Sequence, residues 1–268
     1  MARAGFLFSA KGSNFALSKI GAVTRQGRAA PHSINMAETA LYLIPVQLSD
    51  VELGNVLPAY NLRLVAELRH FIVENVRSAR RFLKKCDRSI DIDSLTFYEL
   101  NRHTDPGSIA AYLDPLEHGC PVGVISEAGC PAIADPGADV VAIAQRRGFK
   151  VKPLVGPSSI LMGLMGSGFN GQSFAFLGYL PIDAGERARK FKEMERRIMR
   201  EGQTQIFIET PYRNAALLAE MARTLPPQLK LCVATDITGN GESIVTRGVK
   251  AWAGRAIGKV PTIFLLYK

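Results

Sequence analysis

Apolar residues in this chain fall in short runs that end at small or polar turns. Leu41 to Val46 reads as a strand, 56–68 as a helix and His70 to Glu74 as a short strand. A basic helix is predicted from Arg77 to Lys85, a strand from Ser94 to Tyr98, and a helix from Gly107 to His118 distorted at Pro115. Val122 to Ile125 and Val151 to Val155 are strands, with the helix Ala138 to Arg147, capped by Gly148, between them. This alternation predicts an α/β fold with a doubly wound, mainly parallel sheet.

After the helix Ser159 to Met165 the pattern changes. Phe174 to Leu177, Gln205 to Glu209, Leu229 to Thr235, Ser243 to Thr246 and Thr262 to Tyr267 read as strands. Only the helices Glu186 to Arg200 and Asn214 to Thr224 separate them, so the second sheet is predicted to be mixed. The organisation expected is a disordered basic leader over 1–37, an N-terminal α/β domain over 38–157 and a C-terminal α/β domain over 158–268.

Two predicted strands carry the main functional signal. The run Val122 to Ile125 stops at Ser126-Glu127-Ala128-Gly129-Cys130-Pro131, and Val151 to Val155 stops at Gly156-Pro157-Ser158-Ser159. Strands that end in small-residue loops opening into helices build ligand clefts in α/β folds, because backbone can approach a bound molecule closely there.

Composition changes the picture in three places. No apolar run reaches the roughly 18 residues of a membrane span, so no membrane partner is expected. Cys86, Cys120, Cys130 and Cys232 form no CxxC pair or zinc-like spacing, which points to a reduced, intracellular setting, the cytoplasm, and to no metal. The formal net charge is +9, and residues 1–37 hold five basic residues and no acid. Two readings of that leader stand: an organellar transit peptide, or an upstream start with Met36 opening the working protein.

Several constellations have competing explanations. Gly166-Ser167-Gly168-Phe169-Asn170-Gly171 matches G-x-G-x-x-G, yet it follows an apolar helix and precedes a strand, the reverse of the dinucleotide fingerprint. A helix cap and loop explain it better. Cys130 is a nucleophile without an evident base, or a small residue lining a loop. Glu127 and the run Glu209-Thr210-Pro211-Tyr212-Arg213 stand at strand ends, as ligand contacts or as plain surface groups. The basic helices, with Arg77, Arg80, Arg81, Lys84 and Lys85 and with Lys190, Lys192, Arg196, Arg197 and Arg200, are solvated faces or a footprint for a phosphate-rich partner.

Taken in order, the motifs resemble the tetrapyrrole methylase superfamily of S-adenosylmethionine-dependent methyltransferases. Within it they are similar to the ribosomal RNA small subunit methyltransferase I group, which methylates a cytidine 2′-hydroxyl. The group's SDAGTPLIxDPG corresponds to Ser126 through Gly137, its PGPxA to Gly156-Pro157-Ser158-Ser159, its ESxxR to Glu209 through Arg213, and its AEDTR to Val73-Glu74-Asn75-Val76-Arg77. Gly178-Tyr179-Leu180-Pro181 also falls in place, and the likeness spans about residues 40–268. The chain departs from the group at its first turn, where Pro45-Val46-Gln47-Leu48-Ser49-Asp50 replaces PTPIGNL, and at Glu127, which replaces an aspartate.

The resemblance implies a two-domain, tetrapyrrole-methylase-like fold with S-adenosylmethionine held in the cleft between domains. The lining residues implied are Pro45, Glu127, Ala128, Gly129, Ala132, Ile133, Ser158, Ser159, Gly178, Tyr179, Glu209, Thr210, Pro261 and Thr262. Glu74 is the candidate general base, and Arg77 the candidate to hold phosphate or substrate. The implied activity is 2′-O-methylation of small-subunit rRNA, with RNA as partner and a homodimer as the assembly. If RNA is the substrate, both basic helices should face the side of the cleft. The alternatives are methylation of a tetrapyrrole or other small molecule, and cofactor binding without catalysis.

Overall fold

The computed structural model describes residues 37–268, and the leader expected over 1–37 lies outside them but for its last residue. The first sheet holds β1 (Leu41–Ile44), β2 (His70–Val73), β3 (Thr96–Glu99), β4 (Val122–Ile125) and β5 (Val151–Pro153). Their order is β3-β2-β4-β1-β5 and every pair is parallel. β1 and β4 are buried at every position, as central strands covered on both faces must be. Close packing reaches its limit at Gly123, where an added Cβ would lie 2.6 Å from Ile44 Cδ1.

Helices α1 (Ala59–Glu67) and α2 (Val76–Cys86) cover one face, with Leu64, Val65, Phe82 and Leu83 packed on Phe71 and Ile44. The other face is covered by a 3₁₀ helix (Pro106–Leu113), the short α3 (Asp114–Glu117) and α4 (Gly137–Arg146). Two expectations are corrected here. The single helix over 107–118 is instead a 3₁₀ segment followed by one α-turn. Proline has no N–H to continue an α-helix, so the chain restarts at Asp114, with Pro115 in the first turn where none is needed. The helix expected from 56 begins at Ala59, because Pro58 is held extended in front of it.

The second sheet runs β6-β7-β10-β8-β9, from β6 (Phe174–Tyr179), β7 (Thr204–Ile208), β8 (Lys230–Thr235), β9 (Ser243–Gly248) and β10 (Thr262–Tyr267). β6 and β7 are parallel and the remaining pairs antiparallel, so the sheet is mixed as expected. Helix α5 (Ser159–Ser167) packs on one face against Ile263 and Leu265. Helices α6 (Ala184–Glu201) and α7 (Asn214–Thr224) pack on the other through Phe191, Met194, Ile198, Leu218 and Met221. α5 ends at Gly168, whose φ of 74° caps it, so the G-x-G-x-x-G letters are a helix end and a loop.

One irregularity shapes the site. β6 pairs Phe176 with Ile206 and then Tyr179 with Ile208, so two residues, Leu177 and Gly178, face the single Phe207. This is a β-bulge, and Gly178 at φ 66° supplies the left-handed conformation it needs. No helix among the described residues is long and apolar enough to cross a membrane.

Candidate functional site

In the first sheet the chain leaves β2 toward β3 on one side and leaves β4 toward β5 on the other. The neighbours β2 and β4 therefore flank a topological switch point, and the crevice outside their carboxyl ends is where such sheets hold ligands. Glu74 directly follows β2, and Ser126 and Glu127 directly follow β4. The second sheet presents the carboxyl ends of β6, β7 and β8 and the amino end of β10 to the same space. The cleft of about 400 Å³ that results falls within the usual range for ligand sites.

Its wall brings together Glu127, Ala128, Gly129, Ile133, Ser158, Ser159, Tyr179, Glu209, Pro261 and Thr262 from the expected lining, together with Glu74. Pro45, Ala132, Gly178 and Thr210 are not part of that wall. Pro45 is buried so close to Gly156 that a Cβ there would lie 2.3 Å from its own Cβ. Gly178 forms the bulge, and Thr210 accepts the backbone N–H groups of Arg213 and Asn214 through its carbonyl. Arg77, in the first turn of α2, is exposed and off the wall, its backbone N–H capped by Asn75 Oδ1 at 2.9 Å.

The turn after β4 is held by two devices. Gly129 and Val46 exchange a pair of backbone hydrogen bonds of 2.9 and 3.0 Å, clipping this turn to the one after β1. Gly129 has φ 72°, and a Cβ would lie 3.1 Å from Leu48 Cδ2. Further on, Ala132 and Ala134 adopt φ of 64° and 59°, conformations costing on the order of 1–3 kcal/mol each in residues with a Cβ. Asp135 stabilises them, its Oδ1 accepting from Ala132 N and Gly137 N at 2.8 Å each. Burial raises the Asp135 pKa, and those two donors oppose the rise.

A second hollow, of about 560 Å³, opens beside the first. It is lined by Glu74, Asn75, Glu99, Asn101, Arg102, His103, Glu127 and Pro136. Glu74 and Glu127 belong to both walls. Burial, then the nearby carboxylates of Glu127 and Asp135, hold the Glu74 carboxyl above the usual carboxylate range. Cys130 lines the first cleft with its thiol donating to Pro157 O at 3.4 Å, and burial pushes that thiol's pKa up, the reverse of what a nucleophile needs.

Sequence reasoning passed over several wall residues. Ser49, from the turn that departs from the group, donates to Asp236 Oδ1 at 2.6 Å and joins the β1 turn to the loop after β8. Phe176, Ile208, Ala234, Ile237 and Ile263 supply apolar surface. Their signal was positional: all but Phe176, which lies within β6, stand at or just beyond the strand ends that meet the cleft. The charge runs misled in part. Gly202, just beyond α6, accepts from Asn170 Nδ2 at 2.7 Å, next to where β6 begins. The last turns of α6, with Arg196, Arg197 and Arg200, are thus at the far end of the sheet from Tyr179. Several cations of this helix are also already paired, Lys190 and Arg197 with Glu193 and Arg187 with Glu220.

No protein-family model matches the chain. Individual proteins do. The ribosomal RNA small subunit methyltransferase I of Vibrio cholerae is 31% identical over 204 residues, covering 76% of this chain and 67% of that protein. Its counterpart in Mesorhizobium japonicum is 31% identical over 220 residues, covering 81% and 69%. The chain belongs to the ribosomal RNA small subunit methyltransferase I family. Another family member, from Neisseria meningitidis serogroup B, is 37% identical over 131 residues, which is 49% of this chain and 43% of that protein.

Solved structures agree on the fold. Cobalt precorrin-4 methyltransferase, an enzyme of cobalamin biosynthesis, superposes with a TM-score of 0.55 at 13% identity over 85% of this chain and 95% of that one. Uroporphyrin-III C-methyltransferase of Thermus thermophilus, complexed with S-adenyl homocysteine, gives 0.50 at 17% over 85% and 92%. The tetrapyrrole-methylase fold expected from the motifs is the fold of this family member.

Proposed function

We propose that this chain transfers a methyl group from S-adenosylmethionine to a ribose 2′-hydroxyl of small-subunit ribosomal RNA. The observation that carries the reading is the junction of two hollows at Glu74 and Glu127, in a member of an rRNA methyltransferase family. One hollow is narrow, with apolar and small-residue walls; the other is polar and open. A donor in the first and an acceptor in the second would meet at those carboxylates.

The residues of the first cleft fit the cofactor. Phe176, Ile208, Ile237 and Ile263 offer apolar surface to a purine. Ser158 and Ser159 begin α5, whose leading N–H groups favour a carboxylate. Glu127 and Glu209 can accept from hydroxyl or ammonium groups. When bound, the cofactor supplies a methyl on a cationic sulfur that an attacking oxygen displaces in line.

The protein's contribution is mainly placement, for which effective molarities of roughly 10⁵–10⁸ M are available. A ribose hydroxyl is a weak nucleophile, and Glu74 takes its proton, a role worth about 10²–10⁴-fold. The raised pKa of Glu74 makes it a stronger base than an ordinary carboxylate. Arg77, close by at the start of α2, binds a phosphate of the substrate. The protein acts in the cytoplasm, where the ribosome is, and pairs as a homodimer. Exposed Val155, Leu161 and Met165, which line one shallow groove, support that pairing.

The test is incubation of the protein with tritiated S-adenosylmethionine and, separately, small ribosomal subunits, bulk RNA and tetrapyrrole precursors from cells lacking it. Label should enter subunit RNA and survive alkali within a dinucleotide, because a methylated 2′-oxygen cannot attack the adjoining phosphate. Label in a tetrapyrrole, or in none of the three, overturns the reading. Sedimentation at micromolar concentration tests the dimer.

A further inference from the structure

Tyr212 is 80% exposed, in the turn between β7 and α7, although its neighbour Pro211 lines the cofactor cleft. A phenol ring so far into water contributes little to the core. Its position is nevertheless fixed. The carbonyl of Thr210 accepts from Arg213 N at 2.9 Å and Asn214 N at 3.2 Å, and Arg213 grips Glu209 at 2.6 Å. Asn214 is fully buried and donates to Val260 O at 3.0 Å and Thr262 Oγ1 at 2.9 Å. That side chain joins the turn carrying Tyr212 to the turn carrying Lys259. Lys259 Nζ accordingly lies 5.5 Å from the centre of the Tyr212 ring.

An exposed aromatic face beside an ammonium group, both on rigid turns at the lip of a cleft, is the chemistry that receives single-stranded nucleic acid. A splayed base stacks on the ring, and the cation takes the phosphate that follows. We propose that Tyr212 stacks an unpaired base of the RNA next to the methylated nucleotide, and that Lys259 binds its phosphate. The inference rests on the RNA reading above and adds a binding subsite to it. The backbone that carries the ring is already held in place, so stacking orders only the side chain.

The experiment compares the full-length protein with Tyr212→Ala, Tyr212→Phe and Lys259→Gln. It measures KM for small ribosomal subunits, binding of a fluorescent single-stranded oligoribonucleotide, and cofactor affinity by titration. Tyr212→Ala should weaken both RNA readouts about tenfold or more, while cofactor affinity and melting temperature stay put. Tyr212→Phe should behave as the native protein, since the ring remains. Lys259→Gln should reduce the slope of log affinity against log salt by about 0.7, the share of one phosphate on a single strand. Unchanged RNA binding in Tyr212→Ala, or a Phe variant as weak as Ala, overturns the subsite. So does cofactor affinity that falls in step with RNA affinity, because Tyr212 would then belong to the cofactor cleft. If the native protein bound the oligonucleotide through Tyr212 yet methylated no RNA, the proposed activity would fail and the subsite would stand.

Discussion

Ser78 Oγ donates a 2.5 Å hydrogen bond to Glu127 Oε1. Ser78 lies in the first turn of α2 and Glu127 in the turn after β4, so this bond spans the switch point between two neighbouring strands. It fixes the one carboxylate, besides Glu74, that faces both hollows.

Replacing Ser78 by Ala should therefore release Glu127 without harming the fold. Both groups are solvent-accessible, so the change in unfolding free energy should stay within about 1 kcal/mol. Steady-state kinetics should show kcat/KM lowered several-fold, with Ser78→Thr retaining most of it. A Ser78→Ala enzyme with native kinetics would remove Glu127 positioning from the account.

Glu74 predicts a pH dependence of definite sign. A base must be ionised, and its carboxyl is held above the ordinary glutamate range. The acid limb of kcat/KM, which reports the free enzyme, should thus lie above the pH where an ordinary glutamate titrates. Glu74→Gln should abolish that limb and lower kcat about 10²–10⁴-fold, with cofactor affinity intact. Stability follows the opposite course. With its pKa raised in the folded state, Glu74 stabilises the protein most at acid pH, and the contribution is lost as pH rises through its titration. At neutral pH Glu74→Gln should be no less stable than the native protein, as denaturant melts would report.

Gly129→Leu should cost both binding and stability. On sequence grounds alone the fold would survive it largely intact. The structure adds a left-handed φ, a contact with Leu48 and the two hydrogen bonds to Val46 at that position. Strain alone is worth on the order of 1–3 kcal/mol. Titration should find cofactor binding lost, and chemical denaturation should find the midpoint lowered. Gly129→Ala should do the same to a smaller degree.

Charge reversal should separate the two basic helices. Arg77→Glu stands beside Glu74 and should raise KM for RNA and flatten its salt dependence by about 0.7 per lost phosphate contact. Arg196→Glu with Arg200→Glu lie at the far end of the second sheet and should leave KM nearly unchanged. Equal effects from both would mean that the RNA wraps around the whole molecule.

The contrast between those helices shows what the sequence could reveal. Element order, the mainly parallel first sheet, the mixed second sheet and the turn from Ser126 to Gly137 were legible, because apolar periodicity and small-residue stops are local signals. The bond between Ser49 and Asp236 was not, since it joins residues 187 apart in the chain. Nor were the cations at the cleft. Arg102 and Lys259 come singly from turns, whereas the runs of charge that stand out along the chain lie on helices, where Lys85 is paired with Asp50 and Lys190 and Arg197 with Glu193. The Pro115 segment was misread because proline marks a break without saying on which side the helix resumes.

The extra residue in β6 has a consequence for how this protein can change. Along a strand, side chains alternate between faces, so Phe176 and Tyr179, three positions apart, would ordinarily point to opposite sides. With Gly178 inserted they look into the same cleft. Replacing Gly178 by a β-branched residue, which resists the left-handed φ of 66°, would favour even alternation and turn Tyr179 away, although the chain kept its length. This wall of the cleft is thus encoded in the backbone conformation of one residue as much as in the side chains that form it. A one-codon deletion of that glycine, by contrast, would leave Tyr179 two positions after Phe176 and on the same face.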